Sequence, residues 1–253
     1  SIGCHVTPWP LQSTPANWEL DIQQLEASIT EKTKLLVLNF PNNPTGYLPS
    51  RQEFDEILSL ARKHNLTVFS DEMYRLLESD PGLRLPSLAD AYENGIALSG
   101  LSKSFALPGL HIGWLVSQRS DLIPRWLAFK DYTTICNSAP SEILGIIALQ
   151  NTEQIVQRNL DIIRENTAIA AAFFAQHSDK FTCHLPRAGS IAFPEWRGPG
   201  TVEQLAQNLL DQEGVMIVPG HLFDVPGNNF RIGLGRRNFG EALRHVENHL
   251  GRD

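Results

Sequence analysis

Positive charge is in short supply: 21 lysines and arginines face 28 aspartates and glutamates, a formal net charge of −7 over 253 residues. Such a chain has no basic excess with which to neutralise phosphates, which argues against nucleic acid or an anionic membrane as a partner. Long apolar runs are missing too. No stretch is long enough to span a bilayer, and residues 1–30 carry no signal-peptide pattern. Cysteine is scarce, with only Cys4, Cys136 and Cys183, far apart and odd in number. That usage argues against a disulfide framework or a zinc site and fits a reducing cytoplasm. No His-Glu-x-x-His pattern occurs, so no metal site is expected and the eight histidines read as surface or core residues. Gly233-Leu234-Gly235 lacks the third glycine of a dinucleotide-binding loop. The aromatic residues are scattered, without the basic interleaving of a nucleic-acid binder.

What remains is an ordinary globular composition, 42% apolar and 19% charged, with length enough for one large domain or two smaller ones. Residues 1–18 are proline-rich, with a short strand expected at Cys4–Val6, and the chain reads as opening mid-fold. Leu20, Ile22, Leu25 and Ile29 fit a short helix. Leu35-Leu36-Val37-Leu38 is a continuous apolar run, the mark of a parallel strand covered on both faces. It enters the loop Asn39-Phe40-Pro41-Asn42-Asn43-Pro44-Thr45-Gly46. Ser50 with Glu53 predicts a capping box, followed by Phe54, Ile57, Leu58 and Ala61 at helical spacing. Leu66–Phe69 is the next strand, with Asp71-Glu72-Met73-Tyr74 at its end, and Ile96–Leu98 and Ile112–Val116 are two more.

From Leu122 helices dominate, with one beginning at Pro140 and a long one from about Glu153 to His177. Short strands are expected at Ser190–Phe193, Val215–Val218 and Phe230–Leu234, and helices near Val202–Glu213 and Phe239–Leu250. Strands alternating with helices predict an α/β domain with a mainly parallel sheet over residues 1–150, and a smaller α+β domain over 151–253. In such sheets ligands bind beyond the carboxyl ends of the strands, where Asn43, Asp71 and Lys103 fall.

Lys103 follows the strand Ile96–Leu98 among small residues, in Ser99-Gly100-Leu101-Ser102-Lys103. A lysine buried at a strand end loses its proton more easily and becomes a nucleophile able to form a Schiff base. Taken alone, a strand-end lysine more often snorkels to water. Asp71 alone fits a helix N-cap equally well, Asn43 is a good turn residue, and Arg231 would serve in a structural ion pair.

Together the motifs carry more. Asn43-Pro44-Thr45-Gly46, Asp71-Glu72-Met73-Tyr74, Ser102-Lys103 with Leu107-Pro108-Gly109-Leu110-His111-Ile112-Gly113-Trp114, and Phe230-Arg231-Ile232 resemble, in order and spacing, the class I/II aminotransferases. These are pyridoxal-phosphate (PLP) enzymes of fold type I, whose large domain carries helices on both faces of its sheet. The resemblance implies that Lys103 is the Schiff-base lysine and moves the substrate proton. It implies that Asp71 pairs with the pyridinium nitrogen, and that Tyr74 and Asn43 bond the 3′ oxygen of the cofactor. Arg231, with Asn43, would bind the substrate carboxylate by a two-pronged salt bridge. Ser102, Ser99 and His111 are the candidate phosphate ligands. The implied reaction is amino transfer from an amino acid to a 2-oxo acid in a homodimer; β-elimination or decarboxylation uses the same residues. A shortened, non-catalytic homologue acting as a binding or regulatory module is the other reading.

Two positions depart from the family pattern: His111 stands where arginine is usual, and Gly100 where a hydroxyl residue is common. The family also carries well over a hundred residues upstream of the point matching Ser1. The expectation is therefore the C-terminal portion of a longer enzyme, or a shortened relative.

Overall fold

The computed structural model describes residues 3–251. A small antiparallel pair, β1 (Gln12–Ser13) and β2 (Trp18–Glu19), precedes helix α1 (Ile22–Ser28), which Asp21 caps by accepting from the Gln24 amide at 2.9 Å. No strand forms at Cys4–Val6. Those residues are irregular and exposed: Pro8 and Pro10 lack amide donors, and no strand among the described residues lies alongside.

The main sheet is built from β3 (Leu35–Asn39), α2 (Arg51–Lys63), β4 (Thr67–Asp71), α3 (Leu88–Ala91), β5 (Gly95–Gly100) and β6 (Gly113–Val116). Its order is β3-β4-β5-β6, with the first three strands parallel and β6 antiparallel on the edge. This is the α/β sheet that the alternating pattern predicts. The capping box at Ser50 and Glu53 is present, with both reciprocal bonds made. Phe54, Ile57, Leu58 and Ala61 of α2 pack on Leu38, Val68 and Ala97 of the sheet. Full burial of a side chain such as Ile57 or Leu58 stabilises the fold by about 1.5–3 kcal/mol.

The Leu35–Leu38 run is covered on one face only. Leu38 turns into the core, whereas Leu35 and Val37 are 53% and 62% exposed, because no element among the described residues packs against their side of the sheet. Pairing continues that row through Asn39, Asp71, Leu98 and Leu115, so Asp71 belongs to this open face.

Helices α4 (Ile123–Thr133), α5 (Ala139–Gln150) and α6 (Thr152–Gln176) follow, the last spanning 25 residues. The remainder comprises β7 (Phe181–Thr182), β8 (Ile191–Ala192), β9 (Glu195–Trp196), α7 (Val202–Glu213), β10 (Val218–Pro219), β11 (Phe230–Gly233) and α8 (Phe239–Leu250). Strands pair antiparallel as β10-β11-β8 and β7-β9. The strand expected at Val215–Val218 is confined to its last residue and Pro219; Met216, at 76% exposure, has no core to join. A second core gathers Leu160, Ile163 and Phe173 of α6 with Phe181, Trp196, Leu205, Phe230, Leu234 and Val246, and Tyr74 packs into it. Among the described residues no helix is long and apolar enough to cross a membrane.

Candidate active site

The carboxyl ends of β3, β4 and β5 all point the same way, because those strands are parallel. Asp71 is the last residue of β4, and Asn43 and Lys103 follow the ends of β3 and β5, so three separate stretches of sequence reach one edge. The loop after β5 is held by its apolar flanks. Leu101 and Phe105 are buried and pack with Ala148 of α5, leaving Lys103 between them exposed. The lysine is therefore not the buried amine that its strand-end position suggests; its neighbours carry the burial. Backbone bonds fix the turn, from Leu101 N to the Ile112 carbonyl and from Leu107 N to the Leu101 carbonyl, both at 3.0 Å.

The departure at Gly100 has a local cause. A side chain at Gly100 would place its Cβ 2.8 Å from the Ile112 carbonyl oxygen and 3.0 Å from the Gly113 Cα. Backbone that close admits only glycine. His111 closes the turn Pro108–Leu110 in the left-handed conformation (φ 52°), which histidine tolerates better than most residues.

Lys103, Ser102, Tyr74 and Arg231 line one cavity of about 740 Å³. The Lys103 Nζ lies 6.0 Å from the centre of the Tyr74 ring. Tyr74 is buried, with Gly189 packed against its ring. Burial pushes the Tyr74 hydroxyl above its usual range; the Arg231 charge works against that shift and the Asp71 charge adds to it. The phenol is thus neutral at ordinary pH and sits within the fields of both groups.

Arg231 comes from β11, far along the chain, and its Nη1 donates to Asn43 Oδ1 at 3.1 Å. Its guanidinium carbon lies over the Phe223 ring, 4.8 Å from the ring centre. Asn43 is in turn fixed by its own backbone, whose N–H donates to Asn39 Oδ1 at 2.7 Å. Asp71 ends β4, and its Oδ1 accepts from the Met73 amide at 3.0 Å, tightening the turn toward Tyr74; no α-helix starts there for it to cap.

Ser99 is not brought to this cavity. It pairs with Trp114 in the sheet and lines a different space of about 250 Å³ with Glu72, Arg75 and Ser104. Strand alternation explains the split, since Leu98 shares Asp71's row and the next residue must face away. His111 is exposed and is not among the residues lining the Lys103 cavity. Phe223 escapes a sequence reading, because its contact with Arg231 depends on how a loop folds back. Asn159 escapes as well, although an asparagine within the apolar stripe of α6 is a visible irregularity.

The model for the family described as aminotransferase class I and II matches residues 1–244. The chain belongs to that family. Capreomycidine synthase from Streptomyces vinaceus is 29% identical over 253 residues, a match covering 98% of this chain and 64% of the relative. The putative aminotransferase YugH from Bacillus subtilis is 32% identical over 209 residues, 81% of this chain and 53% of its own. Among solved structures, a PLP-dependent aminotransferase from Streptococcus suis superposes with a TM-score of 0.91 at 28% identity, covering 99% of this chain and 66% of that one. This family member thus spans between about half and two thirds of the length of the relatives it matches.

Proposed function

We propose that this class I/II aminotransferase homologue holds PLP on the amine of Lys103 and transfers an amino group from an amino acid to a 2-oxo acid. The observation that carries the reading is the meeting of Lys103, Tyr74 and Arg231 around one cavity, with Arg231 bonded to Asn43. The residues present fit the cofactor: an exposed amine for its aldehyde, a carboxylate, a neutral phenol and an amide for its ring, and a cation for the substrate. When bound, PLP supplies the carbonyl that accepts the amino group and a ring that withdraws electrons from the substrate Cα.

Each residue then has its own task. Lys103 Nζ, freed by the incoming substrate, would move the proton between the substrate Cα and the cofactor's C4′. Asp71 holds a positive charge at the ring nitrogen. The Tyr74 hydroxyl, kept neutral by burial, donates a hydrogen bond at the ring oxygen, and Asn43 is its partner there. Arg231 donates two parallel N–H groups to the substrate carboxylate; Phe223 beneath and Asn43 beside it restrict the planar fork before the substrate arrives. For the phosphate this reading keeps Ser102, which lines the cavity, and sets aside Ser99, which faces the other one, and His111, which lies outside the lining. A PLP domain at residues 1–150, a smaller domain at 151–253, a homodimer and a cytoplasmic location belong to the same reading.

One observation favours a second outcome on the same scaffold. A relative matched along 98% of this chain is named as a synthase rather than a transaminase. Incubation with PLP and a panel of amino acids separates the two. Transamination releases the matching 2-oxo acid and aminates a second oxo acid; elimination releases ammonia, and decarboxylation carbon dioxide. Release of ammonia or carbon dioxide without amination of any oxo acid would replace the first reading by the second.

A further inference from the structure

Two asparagines sit within the buried stripe of α6: Asn159 at 7% exposure and Asn166 at 3%, among Leu160, Ile163 and Phe173. A buried amide is costly unless hydrogen-bonded, so what these side chains bond to is informative. Asn159 Nδ2 donates to the carbonyl oxygen of Ser104 at 3.0 Å, one residue beyond Lys103. Asn166 Nδ2 donates to the carbonyl oxygens of Leu234 at 2.8 Å and Arg236 at 2.7 Å, where the backbone leaves β11 and Arg231. Each amide grips main chain near a cation that lines the cavity: Asn159 beside Lys103, and Asn166 just past Arg231 and at Arg236, which lines it too.

The two positions are nearly two helical turns apart, so they share a face and are separated by about 10 Å along the axis. We infer that Asn159 and Asn166 are positioning residues: they clamp the Lys103 loop and the Arg231 strand to one rigid helix and fix the separation of amine and guanidinium. The inference rests on the roles proposed above for Lys103 and Arg231. Ser104 supports it from the other side, because its hydroxyl donates to the Arg75 carbonyl, with the Met73 carbonyl also within reach at 3.2 Å. The residue after the lysine is thus tied both to α6 and to the turn that carries Tyr74. Asn159 also lines the Lys103 cavity, so its amide borders the space it helps to shape.

A clamp predicts divided effects, whereas two asparagines that merely fill polar gaps predict a shared loss of stability. The test compares Asn159→Leu and Asn166→Leu with the unaltered protein, and Asn159→Ser and Asn166→Ser where a leucine variant does not fold. Three readouts on the cofactor-free chain serve: amide hydrogen exchange, acetic anhydride labelling of Lys103, and phenylglyoxal labelling of Arg231. The Ala106 and Leu107 amides report on the lysine loop and the Leu234 amide on the strand exit, since each makes a defined backbone bond. Loss of the Asn159 bond should speed exchange at Ala106 and Leu107 and alter Lys103 labelling, leaving Leu234 and Arg231 unchanged; loss of the Asn166 bonds should do the reverse. The exchange change expected is about tenfold, that of one lost buried hydrogen bond. With PLP added, Asn159→Leu should shift the pH midpoint of borohydride trapping at Lys103, and Asn166→Leu should leave it in place. Failure of the unaltered protein to trap PLP at Lys103 overturns the functional reading, while the three cofactor-free readouts still decide the clamp. Equal changes in both segments with both variants, or none in either, overturn the clamp.

Discussion

Arg231 and Asn43, 188 positions apart in sequence, are joined by a 3.1 Å hydrogen bond from Nη1 to Oδ1. That bond ties the loop after β3 to Arg231, which lines the cavity. It holds the guanidinium near the loop after β3, while its central carbon lies over the Phe223 ring. The arginine is held before any carboxylate arrives, which lowers the ordering cost of binding one.

Replacing Arg231 by lysine keeps the charge and removes the fork. One of two charge-assisted bonds to the carboxylate is then lost, about 1.5–3 kcal/mol. KM for the amino acid should rise roughly ten- to a hundredfold. Asn43→Ala should cost less, because the arginine retains its support from Phe223. Steady-state kinetics of both variants decides this, and an unchanged KM for Arg231→Lys would remove the carboxylate role.

Gly100→Ala forces a methyl against the Ile112 carbonyl and the Gly113 backbone, neither of which is a flexible side-chain end. Overpacking of that kind costs about 1–3 kcal/mol and displaces the loop that presents Lys103. The expected result is a lower midpoint in thermal unfolding together with slower attachment of PLP. Unaltered stability would mean that the close approach does not constrain this position.

The scaffold was legible where local chemistry decides. Ser50 and Glu53 announce their helix through a pattern four residues long, and the structure makes both bonds. Leu35–Leu38 announces a strand, but not which of its faces is covered, because that depends on what packs there. Lys103, Asp71 and Asn43 were legible as strand-end residues through the alternation of elements. Phe223 and Asn159 were not, since each acts through a tertiary contact that no short pattern encodes. Ser99 shows the limit from the other direction. Its motif position suggests the cofactor's side, and the pleat of β5 turns it to the opposite one.

Glu72 gives a pH prediction. It is buried, accepts from the Leu88 amide at 2.7 Å and the Ser87 hydroxyl at 3.3 Å, and lies 4.0 Å from Arg75. Burial raises its pKa above the ordinary carboxylate value, and these partners offset only part of the shift. The folded state therefore binds this proton more tightly than the unfolded state does. Stability from this group is fully present below the unfolded value near 4.5 and is lost as pH rises through the folded value. Against Glu72→Gln, the unaltered protein should lose ground in thermal stability from pH 4.5 to pH 7. A gain in stability of the unaltered protein relative to Glu72→Gln over that interval would reverse the sign of the shift.

The central claim is that Lys103 is the covalent anchor for PLP. The most direct measurement is to incubate the protein with PLP, reduce with borohydride, digest, and locate the pyridoxyl group by mass spectrometry. The account predicts one labelled peptide, containing Ser102-Lys103-Ser104, and loss of that label in Lys103→Ala with the fold intact. Label spread over Lys32, Lys34, Lys63, Lys130 and Lys180 with no preference for Lys103, or no label at all, would contradict it.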